Sequence, residues 1–355
     1  MIVGVDPHKQ THTAVVVDAL GRKQGQKTAR ARRDGHLQLL AWARSQASAA
    51  GLDLAWAVED VRHVAGNLVR DLLAAGETVV FVPPKMMAGE RRGGRERGKS
   101  DPIDALAIAR LALREDRGLP VAHLDERTRP LRLLTDHRDA LVADRTKMVN
   151  RLRWHLHDLD PALAPAARAL SRAPARRRLT AALAALPPST LRRVAAAQLA
   201  CIQALSAEID AVEAELAPLV TAAAPALLAI TGVSVLTAAK ILGETGGIRR
   251  FRSSAAYARH NGTAPIPVWS GNDEVHRLNR GGNRQLNAAI HRIALTQARC
   301  HPPARAQLER RKATTRDTTR ASLRVLKRHL SNTIYRAMLT DAGPATNPQT
   351  KINLT

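Results

Sequence analysis

The sequence has little of several things, and each shortage excludes a class of protein. There are two cysteines, Cys201 and Cys300, in 355 residues. That excludes a disulfide framework or a cysteine zinc cluster and suits a reducing compartment. Aromatic residues make up only 2%, which argues against modules that read nucleic acid by stacking bases on aromatic platforms. No apolar run reaches the roughly eighteen residues of a membrane-spanning helix. The opening "MIVGVDPHKQ" is broken at once by an aspartate and a lysine, unlike a signal peptide. Acidic residues are also scarce, 31 Asp+Glu against 55 Lys+Arg, giving a net charge of +24.

A positive excess of this size implies a polyanionic partner. The basic residues lie in several segments: Arg30 to Arg33, Arg91 to Lys99, Arg176 to Arg178 and Arg310 to Arg328. A single basic tail would tether non-specifically, whereas scattered patches suit a long nucleic acid touched by several parts of the fold. The hydrophobic fraction of 45% supports ordinary folded cores, and the length suggests two or three domains.

The first part reads as α/β. "MIVGVD" and "THTAVVVDALG" are β-branched runs joined by a polar turn with Pro7, His8 and Lys9, and a third strand is expected near Gln24 to Ala29. "HLQLLAWARSQAS" and "AGNLVRDLLAAG" have helical spacing, "LDLAWAVED" reads as a buried strand, and "ETVVFVPP" as another, stopped by Pro83 and Pro84. From Arg129 a long helical pattern begins. A second helix carries Ile202, Leu205, Ile209, Val212, Leu216 and Leu219 at alternating steps of three and four, a coiled-coil seam. The seam fits either a partner subunit or the first long helix of the same chain. From Ala226, "LLAITGVSVLTAAKILGETGG" has the look of a helix-hairpin-helix, whose turn amides can grip a phosphate. The expected division is 1–125 (α/β), 126–222 (helical coiled-coil region), 223–340 (mainly helical, with the "WSGN" loop) and a disordered tail at 341–355.

"GKSDPIDALAIAR" follows the arginine-rich loop "ERRGGRERGK", which contains Arg91, Arg92, Arg95, Arg97 and Lys99. Asp101 and Asp104 are three residues apart and share one helix face. Asp6 and Glu59 each close a predicted strand, and the element order matches the ribonuclease-H-like fold, though other α/β folds share it. That fold brings the four carboxylates together, where they repel unless a cation sits among them. Hard oxygen donors select Mg²⁺ or Mn²⁺, and two such ions roughly 4 Å apart can clamp a phosphodiester. Singly, Asp101 reads as a helix cap ahead of Pro102, Asp6 as a turn residue and Glu59 as a surface charge, with Asp60 an alternative ligand. The joint pattern favours the metal site. Ser270, in "WSGN", reads alone as a turn residue, since no histidine adjoins it. Arg277, Arg280 and Arg284 follow it and could hold a phosphate, with Gly281 and Gly282 allowing backbone approach.

On "VGVDPHK", "VED", "KSDPIDA", "WSGN" and "HRLNRGGNRQLN", in that order, the chain resembles the IS110 family of insertion-sequence transposases, which carry a DEDD carboxylate set and a catalytic serine. The resemblance runs from Ile2 to about Leu339. It implies a RuvC-like N-terminal domain, a coiled-coil middle and a C-terminal transposase domain with the helix-hairpin-helix. It implies that Asp6, Glu59, Asp101 and Asp104 are the catalytic, metal-binding acids and that Ser270 forms a serine–DNA link. It also implies a bacterial cytoplasmic, nucleoid-associated protein that excises and inserts an element as a homo-oligomer on DNA, directed by a structured guide RNA from the element's own end. Many relatives have "EATG" after the second acid where this chain has "EDVRH", which keeps Glu59 and Asp60 both in view. A metal-dependent nuclease of the Holliday-junction type, with water as nucleophile, is the competing reading.

The charge yields a measurable expectation. If about six to ten phosphates are neutralised, affinity for nucleic acid falls by roughly 10³- to 10⁵-fold between 50 and 200 mM salt. A flat salt response in a binding titration would show that the charge serves another purpose.

Overall fold

Strands β1 (Ile2–Pro7) and β2 (Thr11–Val17) are buried along almost their whole length. Near-continuous apolar runs are what a sheet covered on both faces requires. β3 (Lys23–Arg30) is an outer strand and mostly exposed. Helix α1 (Arg33–Ala50) then leads to β4 (Ala55–Glu59), α2 (Arg62–Ala74) and β5 (Thr78–Val82). The computed structural model describes residues 1–59, 62–84, 86–87, 100–115, 119–123, 127–166, 168–271, 273–279, 282–315 and 318–343. Of the tail expected at 341–355, residues 344–355 lie outside them, as do Asp60 and the arginine loop at 91–99, while Asp341 closes the last helix.

The five strands form one sheet in the order β3-β2-β1-β4-β5. The first three are mutually antiparallel, and β4 and β5 run parallel to β1. Strand alternation divides the sheet into two faces. Val3, Val5, Ala14, Val16, Trp56 and Val58 pack with apolar residues of α1 and α2. Ile2, Val15, Val17, Ala57 and Val80 pack on the other side with Ala105, Ile108 and Ala109 of α3 (Asp101–Glu115).

The approach of α3 to the sheet depends on Gly4. A Cβ at that position would lie 2.1 Å from the Ala105 carbonyl oxygen and 2.5 Å from the Ala109 nitrogen. These are backbone atoms, which cannot swing aside.

The remainder is mainly helical. α4 (Thr128–Leu159), α5 (Ala173–Ala185) and α6 (Thr190–Ala223) lead through α7 (Pro225–Leu228) and α8 (Val235–Thr245) to α9 (Ser254–His260). A hairpin of β6 (Ile266–Ser270) and β7 (Asp273–Arg277) follows, then α10 (Arg284–Cys300), α11 (Pro302–Thr315) and α12 (Thr319–Asp341). α6 packs along α4, and pairs such as Arg138–Glu213 (2.8 Å), Arg145–Ser206 (3.3 Å) and His155–Gln198 (2.9 Å) show the two running antiparallel. Ile202, Ile209, Val212 and Leu216 of the expected seam are buried, whereas Leu219 is exposed and Ser206 is buried in the same row. The turn before α8 contains Gly232 at φ +89°.

The chain forms two compact units. One holds residues 1–125, 246–284 and 342–355, the other 126–245 and 285–341. Within the first, the Arg250 guanidinium donates to the Val121 carbonyl at 3.2 Å, stitching the later segment to the earlier one. Among the described residues, no helix is long and apolar enough to cross a membrane.

Gly4→Ala is expected to push α3 off β1 and to cost about 1–3 kcal/mol of stability. Urea unfolding measures it, and an unchanged midpoint would show that α3 does not depend on this contact.

Candidate functional site

β1 and β4 lie side by side with Val5 in register with Val58. Asp6 and Glu59 are therefore the next residues on two adjacent parallel strands. Ile2 and Ala57 face α3, so the alternation of each strand sends Asp6 and Glu59 to the same side. α3 carries Asp101 and Asp104 in its first turn, where carboxylates also suit the helix dipole. Asp6, Glu59 and Asp104 are 4%, 8% and 5% exposed. Carboxylates so removed from water need a counter-charge.

One counter-charge is His8, in the turn between β1 and β2. Its Nε2 lies 3.0 Å from Asp101 Oδ1 and 3.6 Å from Asp6 Oδ2. The hydrogen bond to Asp101 raises its pKa, partial burial opposes this, and the charges of Asp6 and Asp101 add to the rise. Asp6, His8 and Asp101 offer three ligand atoms within 4.8 Å of one another. Two carboxylates and an imidazole are a donor set that suits a divalent transition ion such as Mn²⁺, whereas Mg²⁺ would rely on the carboxylates. Glu59 and Asp104 lie at the same sheet end and face but are not part of that three-atom group. His8 is the member that sequence reasoning passed over as a turn residue. Its signals are its place two residues after Asp6 and inside the segment "VGVDPHK".

Ser270 ends β6 and is paired with Asp273 across the hairpin, with Gly271 at φ +62° in the turn. Its side chain lies outside the described residues, as do Arg280 and Gly281. Trp269 beside it is 65% exposed. Arg277 at the end of β7 and Arg284 at the start of α10 are both exposed. The loop between them is anchored: the Asn283 amide donates to the His260 carbonyl at 2.7 Å. A Cβ on Gly282 would sit 2.3 Å from the Gly262 nitrogen, so only glycine fits there. This hairpin belongs to the same compact unit as the carboxylate sheet.

On the opposite face of the sheet, His12 of β2 stacks on His36 of α1, with ring centroids 5.2 Å apart. Burial lowers the His12 pKa to about 4, with the charges of His36 and His8 contributing.

Comparison with known proteins finds similarity to insertion-element proteins. A DEDD transposase model of the IS110 type, described as Transposase, matches residues 3–161, and a model described as Transposase IS116/IS110/IS902 family matches residues 224–309. The insertion element IS900 uncharacterized 42 kDa protein of Mycobacterium paratuberculosis is 27% identical over 384 aligned positions, 95% of each chain. The insertion element IS116 uncharacterized 44.8 kDa protein of Streptomyces clavuligerus is 35% identical over 164 residues, 45% of this chain and 39% of that one.

The depressed His12 pKa has a consequence for stability. The unfolded chain takes up this proton near pH 6.5, while the folded protein resists it until about pH 4. Unfolding is therefore favoured as pH falls through that window, by up to about 3 kcal/mol. Urea unfolding at a series of pH values should show the decline, and His12→Phe should flatten it. A wild-type stability constant from pH 7 to 4 would contradict it.

Proposed function

The chain belongs to the IS110 family of insertion-sequence transposases, and from that premise we propose that it excises and inserts its element through a serine–DNA intermediate beside a metal-binding carboxylate site. The observation that carries this reading is the convergence of acids from two strand ends and one helix turn, in the compact unit that also holds the Ser270 hairpin. The strand order β3-β2-β1-β4-β5 supports a RuvC-like, ribonuclease-H-like reading of residues 1–125.

Asp6, Glu59, Asp101 and Asp104 would hold the ion, and His8 could join them. A bound divalent cation supplies charge neutralisation at the phosphate oxygens and lowers the pKa of a coordinated hydroxyl. Ser270 Oγ attacks the scissile phosphorus. A Ser–O–P bond forms as one P–O ester bond breaks, the hydroxyl gives up its proton, and the departing deoxyribose oxygen takes one up. The reverse attack by a new DNA hydroxyl releases the serine, so rejoining needs no external energy source. Arg277, Arg280 and Arg284 neutralise the non-bridging oxygens. The net charge of +24 accommodates both DNA and the structured guide RNA that would direct it. We infer further that the protein works as a homo-oligomer in the bacterial cytoplasm at the nucleoid.

A DNA substrate nicked near the exchange point, so that the released fragment diffuses away, should leave protein attached to DNA after denaturation. Ser270→Ala should remove that adduct and all recombination, while binding persists. Asp104→Asn should do the same. A nuclease using water predicts no adduct in any variant, and wild-type cleavage by Ser270→Ala would overturn the serine assignment.

A further inference from the structure

The end of the sheet that carries the carboxylates also holds a concentration of positive charge on its other face. A cavity of about 200 Å³ lies between the start of α1 and α2, lined by Arg32, Arg33, His36, Asn67, Arg70 and Asp71. The chain reaches it by a sharp reversal after β3. A Cβ on Gly35 would lie 2.1 Å from the Arg30 carbonyl oxygen, so glycine there permits the reversal that sets Arg32 and Arg33 at the start of the helix.

Three observations point to an anion. The residue capping α1 is Arg32, its side chain makes no capping hydrogen bond, and Arg33 follows at the first helical position. Helix N-termini favour hydroxyls and carboxylates, so two cations there carry the wrong sign, offset within the first turn only by the exposed Asp34. Next, among the described residues the side chains of Arg32 and Arg33 have no ion-pair or hydrogen-bond partner, and that of Arg70 is held by the neutral Asn67. Finally, His36 is 2% exposed, its Nδ1 is 2.6 Å from Asp71 Oδ2, and its Nε2 has no hydrogen-bond partner. Asp71, the cavity's one acid, is thus already engaged. Among the described residues, three guanidiniums remain without a carboxylate, around first-turn amides that by geometry lack intrahelical acceptors.

We propose that this cavity binds a backbone phosphate of a nucleic-acid strand passing over the end of the sheet. Arg33 and Arg70 fork its oxygens, and the start of α1 supplies amide donors. β3 and β1 are two strands apart, roughly 10 Å, so a strand held here is positioned within a few nucleotides of the carboxylates. The need for an anion stands on the cavity alone. Naming it as nucleic acid rests on the transposase reading.

The test uses full-length protein and short single-stranded DNA and RNA of one sequence, with affinity measured by fluorescence anisotropy across salt. Arg33→Gln with Arg70→Gln should weaken binding about 5- to 10-fold and lower the slope of log affinity against log salt by about 0.7, the value for one phosphate on a single strand. Arg22→Gln with Lys23→Gln removes the same charge at the opposite end of β3 and should leave the slope unchanged. Arg33→Gln alone, at an exposed and unpartnered side chain, covers the case in which the double variant misfolds. Loss with DNA only identifies a DNA phosphate, and loss with RNA only identifies the guide. A wild-type slope on both nucleic acids, or an equal loss in the control, overturns the proposal. These slopes do not depend on cleavage, so they stay readable if the serine mechanism fails.

Discussion

The contact between α3 and β1 governs the carboxylate site. Asp101 comes close to Asp6, and Asp104 to the same end of the sheet, because the helix backbone rests on the strand backbone at Gly4, with no side chain between them. Any larger residue would add its own thickness to that gap. Ligand atoms that now lie within 4.8 Å of one another would separate, and a cation could not bridge them. The site is therefore set by a missing methyl group at the middle of β1 as much as by the acids.

The two faces of the sheet divide the work by parity. Even positions of β1 and odd positions of β4 supply acids to the α3 side, and His12 of β2 faces the α1 and α2 side with the arginine cavity. A register slip of one residue would exchange these sets. Burial of Val3, Val5, Trp56 and Val58 against α1 and α2 opposes such a slip, because it would place Asp6 in the apolar core. The hydrophobic core thereby keeps negative charge on one face and positive charge on the other.

The strands and the existence of the helices were legible in the sequence because Pro83, Pro84, the β-branched runs and the helical spacing are local signals, though two helices start three residues earlier than their apolar spacing suggests. So was the pairing of Asp101 with Asp104, which follows from helix geometry. Gly4 gave no such signal, since its reason is a helix a hundred residues away. His8 read as a turn residue because its partners, Asp6 and Asp101, meet only in the folded chain. The seam on α6 shows the limit in another way. Its period was visible, but whether Ile209 and Leu216 face their own chain is a matter of tertiary packing, and both are buried along a helix that packs on α4. The cavity at Arg32 and Arg33 looked like one more basic segment, because a run of arginines does not show that it caps a helix.

The order in which the units are threaded also sets a schedule for synthesis. The first unit leaves off at residue 125 and resumes at 246. A ribosome adding about 5–20 residues per second spends on the order of ten seconds between them. Through that interval the carboxylate sheet exists without the hairpin that completes its unit. A nascent chain thus lacks the later segment of its first unit until most of the polypeptide has emerged.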